Sequence, residues 1–257
     1  MLKKRISASL NIMNSRLVKG KSFKDHRTLN DIITAVKIFC IRDIDELIIQ
    51  DINKNILKEK PDFNFLQEIS QYINVPCVYG GGIITLDDAI WCLKSGADKI
   101  SLNTILYKNI KILKEISSHL GSQSVIASID VLREGNQLYC LSESGTNIVK
   151  NINPLEWAQK CEENGCGEIL LCSINKEGTM SGYDLDLIAK IKEKITIPLL
   201  VSGGANSYKD FLEAFKLDVS AVVAGSIYQF SNLTPTEAKR YLHNNSILVR
   251  DNYKYEN

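Results

Sequence analysis

The sequence lacks the features that mark several classes of protein. It has no apolar run approaching the roughly 18–20 residues that a membrane-spanning helix needs. Its 31 Lys and Arg residues nearly balance 30 Asp and Glu residues, which gives no electrostatic case for nucleic-acid binding. Only 5 proline and 15 glycine residues occur among 257, which excludes a low-complexity or collagen-like chain. A globular protein with a large core remains.

The cysteines lack the Cys-x-x-Cys spacing of many metal and redox sites. They are odd in number, and most stand in apolar segments, where cysteine behaves as a small hydrophobic residue. They occupy positions 40, 77, 92, 140, 161, 166 and 172. The basic start of the chain runs into a mixed segment, which predicts no secretory signal. We therefore predict a reduced, cytoplasmic protein that binds no metal and no cofactor.

Short apolar, β-branched runs alternate with segments of helical periodicity. Continuous apolar runs of this length are typical of strands buried on both faces of a sheet. The predicted strands cover residues 6–12, 46–52, 75–80, 98–103, 124–130, 168–174, 197–203 and 220–225. The predicted helices cover residues 30–42, 60–73, 85–95, 108–119, 154–164, 184–194, 207–216 and 234–243. This alternation predicts an α/β fold, a single (β/α)8 TIM barrel over residues 1–257.

A doubly wound open sheet is the alternative, but such a sheet more often carries a G-x-G-x-x-G turn after its first strand, which is missing here. An internal repeat favours the barrel. Gly82 corresponds to Gly204, and Glu46 corresponds to Glu168, in both cases 122 positions later. Two related half-barrels of four strands each therefore form one closed domain.

Glycine-rich segments follow three predicted strands. Glycine lets backbone N–H groups approach an oxyanion closely, and the loops after strands seven and eight of a barrel often bind phosphate. The candidate residues are Gly203, Gly204, Gly225 and Ser226 in the second half and Gly82, Asn103 and Thr104 in the first. Two such sites predict a long substrate phosphorylated at both ends, with ordinary tight turns as the alternative.

Asp130 ends the fifth predicted strand, where a carboxylate can act as a general acid or base. A hairpin is expected after it, through residues 131–150. Its counterpart in the first half is Asn11, which has no titratable proton near neutral pH. The basic segment 17–31 suits a mobile lid that closes Lys19 over an anionic substrate, although composition favours a solvated loop almost equally.

Three histidines (26, 119 and 243) fall in a loop and near helix ends, and we interpret them as surface residues. Four charges stand at or just before strand starts, at the bottom of the predicted barrel: Arg5, Glu46, Lys99 and Glu168. Pointing inward, they would form a ring of salt bridges across the bottom opening. Such bridges ordinarily serve stability, unless something passes through the barrel.

Several stretches together carry a specific family resemblance. They are Lys3-Lys4-Arg5-Ile6, Arg16-Leu17-Val18-Lys19-Gly20, Asp45-Glu46-Leu47, Gly80-Gly81-Gly82-Ile83, Asp98-Lys99-Ile100-Ser101-Leu102-Asn103-Thr104, Gly121-Ser122-Gln123, Gly178-Thr179-Met180-Ser181-Gly182-Tyr183-Asp184 and Ser202-Gly203-Gly204-Ala205. Over nearly its whole length the chain resembles the HisF family, the cyclase (synthase) subunit of imidazole glycerol phosphate synthase.

The resemblance implies a class I glutaminase subunit (HisH-like) docked on the bottom of the barrel. Ammonia would travel through the barrel to a bisphosphorylated substrate. The four charges at the strand starts match the gate at the ammonia entrance, with Asp98 and Gln123 on the rim that meets the glutaminase. The resemblance also implies active-site roles for Lys19 and Asp130, and adds Gly178 and Thr179 to the phosphate site.

The chain departs from the family pattern at two positions that matter for chemistry. The family uses aspartates at the ends of strands one and five, whereas the first is Asn11 here. The family's Asp-Arg-Asp-Gly-Thr segment appears as Asn175-Lys176-Glu177-Gly178-Thr179. Tyr79, Pro61-Asp62-Phe63 and Pro154-Leu155-Glu156-Trp157-Ala158-Gln159 resemble a paralogous branch found in bacterial surface-sugar gene clusters. That branch is associated with a sugar amidotransferase.

Three functions therefore compete. The chain is either an ammonia-conducting subunit that serves amidination of a nucleotide-activated N-acetyl sugar in polysaccharide biosynthesis, or a genuine cyclase, a lyase of histidine biosynthesis. An isomerase of the sister family is weaker, because that family lacks the full charged gate. We expect impaired cyclisation, since Asn11 cannot act as the general acid.

Overall fold

A computed structural model describes residues 3–29 and 31–250. The described part does not include Met1, Leu2, Asn30 and residues 251–257. Both ends of the predicted domain 1–257 and the first residue of the predicted helix 30–42 therefore lie outside it. The strands are β1 (Arg5–Met13), β2 (Arg16–Lys21), β3 (Lys24–Thr28), β4 (Glu46–Asp51), β5 (Cys77–Gly80), β6 (Lys99–Leu102), β7 (Val125–Glu134), β8 (Gln137–Ser142), β9 (Asn147–Val149), β10 (Glu168–Ser173), β11 (Leu199–Ser202) and β12 (Ala221–Ala224).

Helices connect most consecutive strands. They are α1 (Ile32–Ile41), α2 (Lys54–Leu57), α3 (Phe63–Ser70), α4 (Leu86–Lys94), α5 (Thr104–Lys108), α6 (Lys111–Leu120), α7 (Pro154–Glu163), α8 (Leu185–Lys192), α9 (Tyr208–Lys216), α10 (Ser226–Phe230) and α11 (Pro235–Asn244). None of the helices in residues 3–29 and 31–250 has the length and apolar character needed to span a membrane.

Within the described residues, eight of the strands form a closed parallel barrel. Its order is β1, β4, β5, β6, β7, β10, β11 and β12, and β12 pairs back to β1 through Arg5↔Ala221 to Ala8↔Ala224. The predicted (β/α)8 barrel is therefore confirmed, and the open sheet is excluded by that closing pair. We call the end where these strands begin the bottom and the end where they finish the mouth.

Two antiparallel excursions rise from the mouth. β2 pairs with β1 and with β3, so the segment predicted as a lid or solvated loop is instead a β-hairpin, which we call the lid hairpin. The second excursion adds β8 and β9 to β7, as the sequence predicted for residues 131–150. Both excursions continue barrel strands beyond the mouth and position side chains above it.

Two apolar clusters hold the fold together. The larger lies between the barrel and its helices, and the smaller fills the inside of the barrel. The inner cluster consists of Ile48, Val78, Ile126, Leu170, Leu200, Ala221 and Val223. Because burial of a Val, Leu or Ile side chain stabilises a fold by about 1.5–3 kcal/mol, this plug contributes strongly to closing the barrel.

The repeat seen in the sequence is also visible in local structure. Thr85 and Asp88 form a reciprocal capping box at the start of α4, and Ser207 and Asp210 form the same box at α9. Each box satisfies backbone N–H groups that the first turn of a helix leaves unpaired. The two half-barrels therefore use the same device to start the helix after a glycine-rich strand end.

Candidate functional site

The four charges at the strand starts form a closed ring across the bottom. The Arg5 guanidinium contacts Glu46 at 3.0 Å and Glu168 at 2.8 Å. The Lys99 ammonium contacts the same carboxylates at 3.1 Å and 2.9 Å. Glu46 is only 1% exposed, and its other oxygen accepts a hydrogen bond from Ser7 Oγ at 3.0 Å. Each charge has two neighbours of opposite sign, which is what a buried charge needs to be tolerated.

A second buried ion cluster supports the ring from outside the barrel. Lys239 of α11 lies 2.8 Å from both Asp43 and Asp45. Asp45 also accepts a hydrogen bond from the Ile6 backbone N–H at 2.7 Å, directly beside Arg5 and Glu46 in the chain. Burial raises the pKa of Asp45, and Lys239 opposes that rise. This cluster fixes the backbone that carries two members of the ring.

The outer rim of the bottom is exposed. Asp98 accepts a hydrogen bond from the Cys77 backbone N–H at 2.8 Å, and Gln123 donates one to the Leu120 carbonyl at 3.4 Å. Apolar side chains are exposed at the same end of the barrel, because the helices run back to the bottom. Ile41 ends α1 with 76% exposure, and Tyr72 follows α3 with 39%.

β1 presents a polar face to the inside of the barrel from Arg5 to Asn11. Arg5, Ser7, Ser9 and Asn11 alternate with residues that pack against the helices. Arg5 and Ser7 belong to the bottom, whereas Ser9 and Asn11 line the mouth. The other strands place the apolar plug between these ends. A row of side-chain donors and acceptors therefore connects the bottom with the mouth beside the plug.

An open cavity occupies the mouth. Its floor is made by the ends of barrel strands and its roof by the two excursions and α2. Floor residues include Ser9, Asn11, Gln50, Asp51, Ser101, Ser128, Asp130 and Cys172, and roof residues include Phe23, His26, Asn55 and Ser144. This is the polar concave site of the molecule where a small ligand could be enclosed.

Asp130 is a carboxyl group at the floor, at the end of the fifth barrel strand. Burial, and secondarily the nearby charge of Glu177, raise its pKa to about 7. Asn103 Nδ2 donates a hydrogen bond to its carboxylate at 3.0 Å. At neutral pH both protonation states are populated, so Asp130 can donate or accept a proton. Asn11 lines the same cavity but offers only hydrogen bonds.

Lys19 is buried and forms an ion pair with Glu177. The pair joins the lid hairpin to the loop after β10, and the Ser22 backbone N–H donates to the Glu177 carbonyl at 2.8 Å. A Cβ built on Gly225 would lie 3.1 Å from Lys19 Nζ, so the ammonium lies against that glycine. The hairpin therefore holds its lysine at the end of β12.

A small pocket lies where Lys19 meets the second-half glycines. Gly178, Gly203, Gly204, Gly225 and Ser226 line it. Ser226 is 7% exposed, and its hydroxyl has no hydrogen-bond partner in the described residues. The Glu177 carboxylate lines the pocket too and pairs with Lys19. The unpaired buried hydroxyl and the glycine backbone are suited to an anion that would take the place of this carboxylate beside the ammonium. Thr179 does not line the pocket, because its hydroxyl bonds within its own loop, to the Lys176 carbonyl at 2.7 Å.

The first-half counterpart is arranged differently. Asn103 directs its amide at Asp130, and the Thr104 hydroxyl accepts a hydrogen bond from the Glu143 backbone N–H at 2.9 Å while keeping its own hydrogen to donate. Gly81 rather than Gly82 lines the cavity. A Cβ on Gly82 would lie 2.6 Å from the Glu59 carbonyl oxygen, so that glycine permits close packing of the loop after α2.

Two titratable residues of the mouth escaped the sequence-based interpretation. His119 and His243 are exposed as expected, but the prediction of a surface position is wrong for His26, which is half-buried and lines the cavity. Asp51 also lines it, and burial raises the pKa of its carboxyl to about 6. Asp51 could have been found as a carboxylate at the end of the second strand, whereas nothing in the sequence indicates where His26 points.

Comparison with known proteins places the whole chain in one group. A family model described as "Histidine biosynthesis protein" matches residues 5–234. A Campylobacter jejuni protein named "Putative imidazole glycerol phosphate synthase subunit hisF2" is 38% identical over 97% of this chain and 99% of its own length. Proteins named imidazole glycerol phosphate synthase subunit HisF from Hydrogenobaculum and Thermococcus onnurineus are each 37% identical, over 97% and 98% of this chain and 100% of their own lengths.

Proposed function

The chain belongs to the histidine biosynthesis protein family, and from that premise we propose that it is the HisF-type barrel subunit of a glutamine amidotransferase complex. It receives ammonia from a class I glutaminase subunit at the bottom and conducts it through the barrel to the mouth. The observation that carries this proposal is that the charged ring, the polar face of β1 and the cavity follow one another along the barrel, from the bottom to the mouth.

The ring is the entrance of this route. Its charges alternate in sign and close the bottom opening, so a neutral molecule must pass through by displacing one contact while the others remain. Lys99 is the best candidate for the moving member, because its side chain is partly exposed whereas that of Glu46 is buried. Ammonia that passes the ring meets Ser7 and then Ser9, whose hydroxyls can exchange hydrogen bonds with it.

The rim supplies a docking surface for the glutaminase. Asp98 and Gln123 are polar and exposed, and Ile41 and Tyr72 are exposed apolar residues at the same end. A patch of apolar side chains with polar residues around it is the usual composition of a protein–protein interface. A partner seated there would enclose the ring and keep ammonia out of bulk water.

We further propose that the mouth binds a phosphorylated small molecule through Ser226, Gly204 and Lys19, and that the ammonia serves a sugar-amidating partner. Asn11 is the reason for this choice of acceptor. General acid–base groups typically contribute about 10²–10⁴-fold to a rate, and an amide at this position cannot transfer a proton. The proposed product is an acetamidino group on a nucleotide-activated N-acetyl sugar used in polysaccharide biosynthesis.

The cyclase reaction of histidine biosynthesis is the second candidate. It is favoured by Asp130, whose pKa of about 7 suits proton transfer near neutral pH, and by the cavity that encloses it. A single carboxylate would then have to serve both proton transfers. The substrate would be the bisphosphorylated ribulosyl aminoimidazole carboxamide intermediate, and the products imidazole glycerol phosphate and the purine precursor.

Co-expression with a class I, HisH-like glutaminase from the same organism tests the complex. We expect the two proteins to elute together in gel filtration, and a charge reversal at the rim, Asp98→Lys, to weaken the complex. Asp87→Lys, at an exposed carboxylate in the first turn of α4 and therefore at the mouth end, is the control and should not change elution. Separate elution of the unmodified proteins at micromolar concentrations would exclude a stable complex.

Complementation separates the two acceptors. A histidine auxotroph that lacks its cyclase should not grow with the unmodified chain, and Asn11→Asp should restore growth in part, because it returns a titratable group to an intact cavity. Growth with the unmodified chain at rates ordinary for the family would contradict the amidination proposal and establish the second candidate.

A further inference from the structure

The lid hairpin contains a β-bulge that turns one histidine toward the mouth. The register runs through Lys19↔Arg27 and then Lys21↔Lys24, so two residues of β3 lie opposite one residue of β2. The two residues are Asp25 and His26, and they lie opposite Gly20. Asp25 has a φ of +52°, which aspartate tolerates better than most side chains. Bulges redirect side chains in this way, and the other four residues of β3 are exposed while His26 is not.

The imidazole of His26 lies where a bound molecule would meet it. It lines the same cavity as Asp130 and Asn11. Within the described residues, neither ring nitrogen has a hydrogen bond to the protein. A Cβ built on Gly20 would lie 3.1 Å from His26 Cδ2, so the glycine makes room for the ring. The hairpin therefore holds a half-buried imidazole with both nitrogens free over the mouth.

We propose that His26 contacts the anionic ligand of the mouth from the lid side and takes up a proton as that ligand binds. The inference rests on the proposed function, which places a phosphate in the small pocket beside Lys19. That pocket adjoins the cavity that His26 lines, since both are lined by Glu177 and Val223. A protonated imidazole donates from both ring nitrogens, so it can hydrogen-bond a phosphate or carboxylate oxygen as well as attract its charge. No other residue of β3 is placed to do so.

The electrostatics of the lid agree with proton uptake. In the free protein, burial and then the Lys19 ammonium lower the pKa of His26, and Asp25 opposes them. The other titratable or charged groups around the cavity are Glu177, which pairs with Lys19, and the floor carboxyls Asp130 and Asp51. An anion between floor and lid adds negative charge beside the imidazole and favours its protonated form. Ligand binding and His26 protonation must then strengthen each other.

Proton NMR of the histidine rings in the full chain tests this coupling, with inorganic phosphate as the probe. The His26 signals are assigned by their loss in His26→Gln. We expect saturating phosphate to move the titration midpoint of His26 to higher pH, while those of the exposed His119 and His243 stay unchanged. A His26 midpoint that phosphate does not move overturns the proposal.

Phosphate affinity provides a second readout. We expect His26→Gln to weaken binding about tenfold at pH 6 and less than about twofold at pH 8, because only the protonated ring adds charge. His119→Gln is the matched control. In an Asp130→Asn background, His26→Gln should still weaken phosphate binding more at pH 6 than at pH 8. An equal effect of His26→Gln at both pH values would contradict proton uptake. Co-elution with the glutaminase tests the bottom of the barrel, so its failure would be distinguishable from a failure at His26.

Discussion

The bottom and the mouth of this barrel are both polar, but they satisfy their polar groups in opposite ways. At the bottom, each of the four ring charges has two partners within the protein, and Ser7 completes Glu46. At the mouth, several buried polar atoms in the described residues have no partner, among them Ser226 Oγ, Asn103 Oδ1 and Asp51 Oδ1. The charged groups of the ring are paired within the protein, whereas the mouth has buried polar atoms that are free to hydrogen-bond a ligand.

The carboxyl groups of the mouth show the effect of missing partners on their pKa values. At the mouth, burial without enough opposite charge raises the pKa of Asp130 to about 7 and that of Asp51 to about 6. Ionisation of such a buried carboxyl group lowers the stability of the fold. A ligand that supplies a hydrogen bond or an opposite charge to the carboxylate would restore that stability. We infer that the charged ring stabilises the bottom in addition to its proposed role as an entrance, and that the mouth gives up some stability in order to bind a ligand. Paired substitutions at the two ends can break or sharpen this comparison.

The largest effect is expected for Glu46→Ala. It leaves the Arg5 and Lys99 charges with one carboxylate between them and removes the partner of Ser7. Breaking a buried ion pair typically costs about 3–5 kcal/mol. Urea unfolding should show a loss of this size. Glu68→Ala, at an exposed position of α3, is the control and should change stability by less than about 0.5 kcal/mol. A loss equal to that of the control would mean that the ring adds no stability.

Asp130→Asn should act in the opposite direction. The folded protein raises the pKa of this carboxyl from 3.8 to about 7, so ionisation destabilises the fold, and stability is lost as pH rises between these values. Replacing the carboxyl removes that loss. At 1.36 kcal/mol per pKa unit, the gain is at most about 4 kcal/mol at pH 8 and below about 2 kcal/mol at pH 5.

Unfolding curves at both pH values measure this difference. Asp87→Asn, at an exposed position in the first turn of α4, is the control. It should lower stability slightly, by less than about 1 kcal/mol, because it removes a favourable charge from a helix N-terminus. If Asp130→Asn were destabilising at pH 8, the carboxylate would be better satisfied than the mouth indicates.

The smallest effect distinguishes two serines. Ser7→Ala removes a hydrogen bond to a buried carboxylate, which is worth about 1.5–3 kcal/mol. Ser226→Ala removes a buried hydroxyl that has no partner in the described residues, so stability should stay the same or rise slightly. Phosphate binding should respond in the reverse order, weakened by Ser226→Ala and unchanged by Ser7→Ala. Calorimetric titration measures the phosphate affinity of each variant, and urea unfolding measures its free energy of unfolding.

The sequence predicted the barrel because its signals are local and repeated. The predicted strand 168–174 is found at Glu168–Ser173, and the predicted helix 207–216 at Tyr208–Lys216. Apolar runs, capping residues and glycines determine strands and helices through residues that are close in sequence. Because the strand–helix alternation recurs eight times, it indicates a barrel clearly. The ring charges could be anticipated for the same reason, since each stands at a recognisable strand start.

The lid hairpin could not be read in this way. Its residues are basic and polar, and β2 forms because it pairs with the extension of β1, from Asn11↔Val18 to Met13↔Arg16. That pairing is a tertiary contact, and it overrides local preference. The bulge that turns His26 inward depends on register, which a single sequence does not encode visibly. Thr179 as a phosphate-binding residue stays a prediction, and its hydroxyl bonds within its own loop, to the Lys176 carbonyl.

The ring at the bottom also sets an order of events during synthesis. Arg5, Glu46 and Lys99 come from the first half of the chain, whereas Glu168 follows Lys99 by 69 residues. A ribosome delivers the N-terminal half first, and until Glu168 emerges two cations share one carboxylate. The last carboxylate therefore closes the ring only when the second half docks on the first. A stalled or truncated chain would keep an unbalanced positive charge at this end, which would distinguish an incomplete barrel from a finished one.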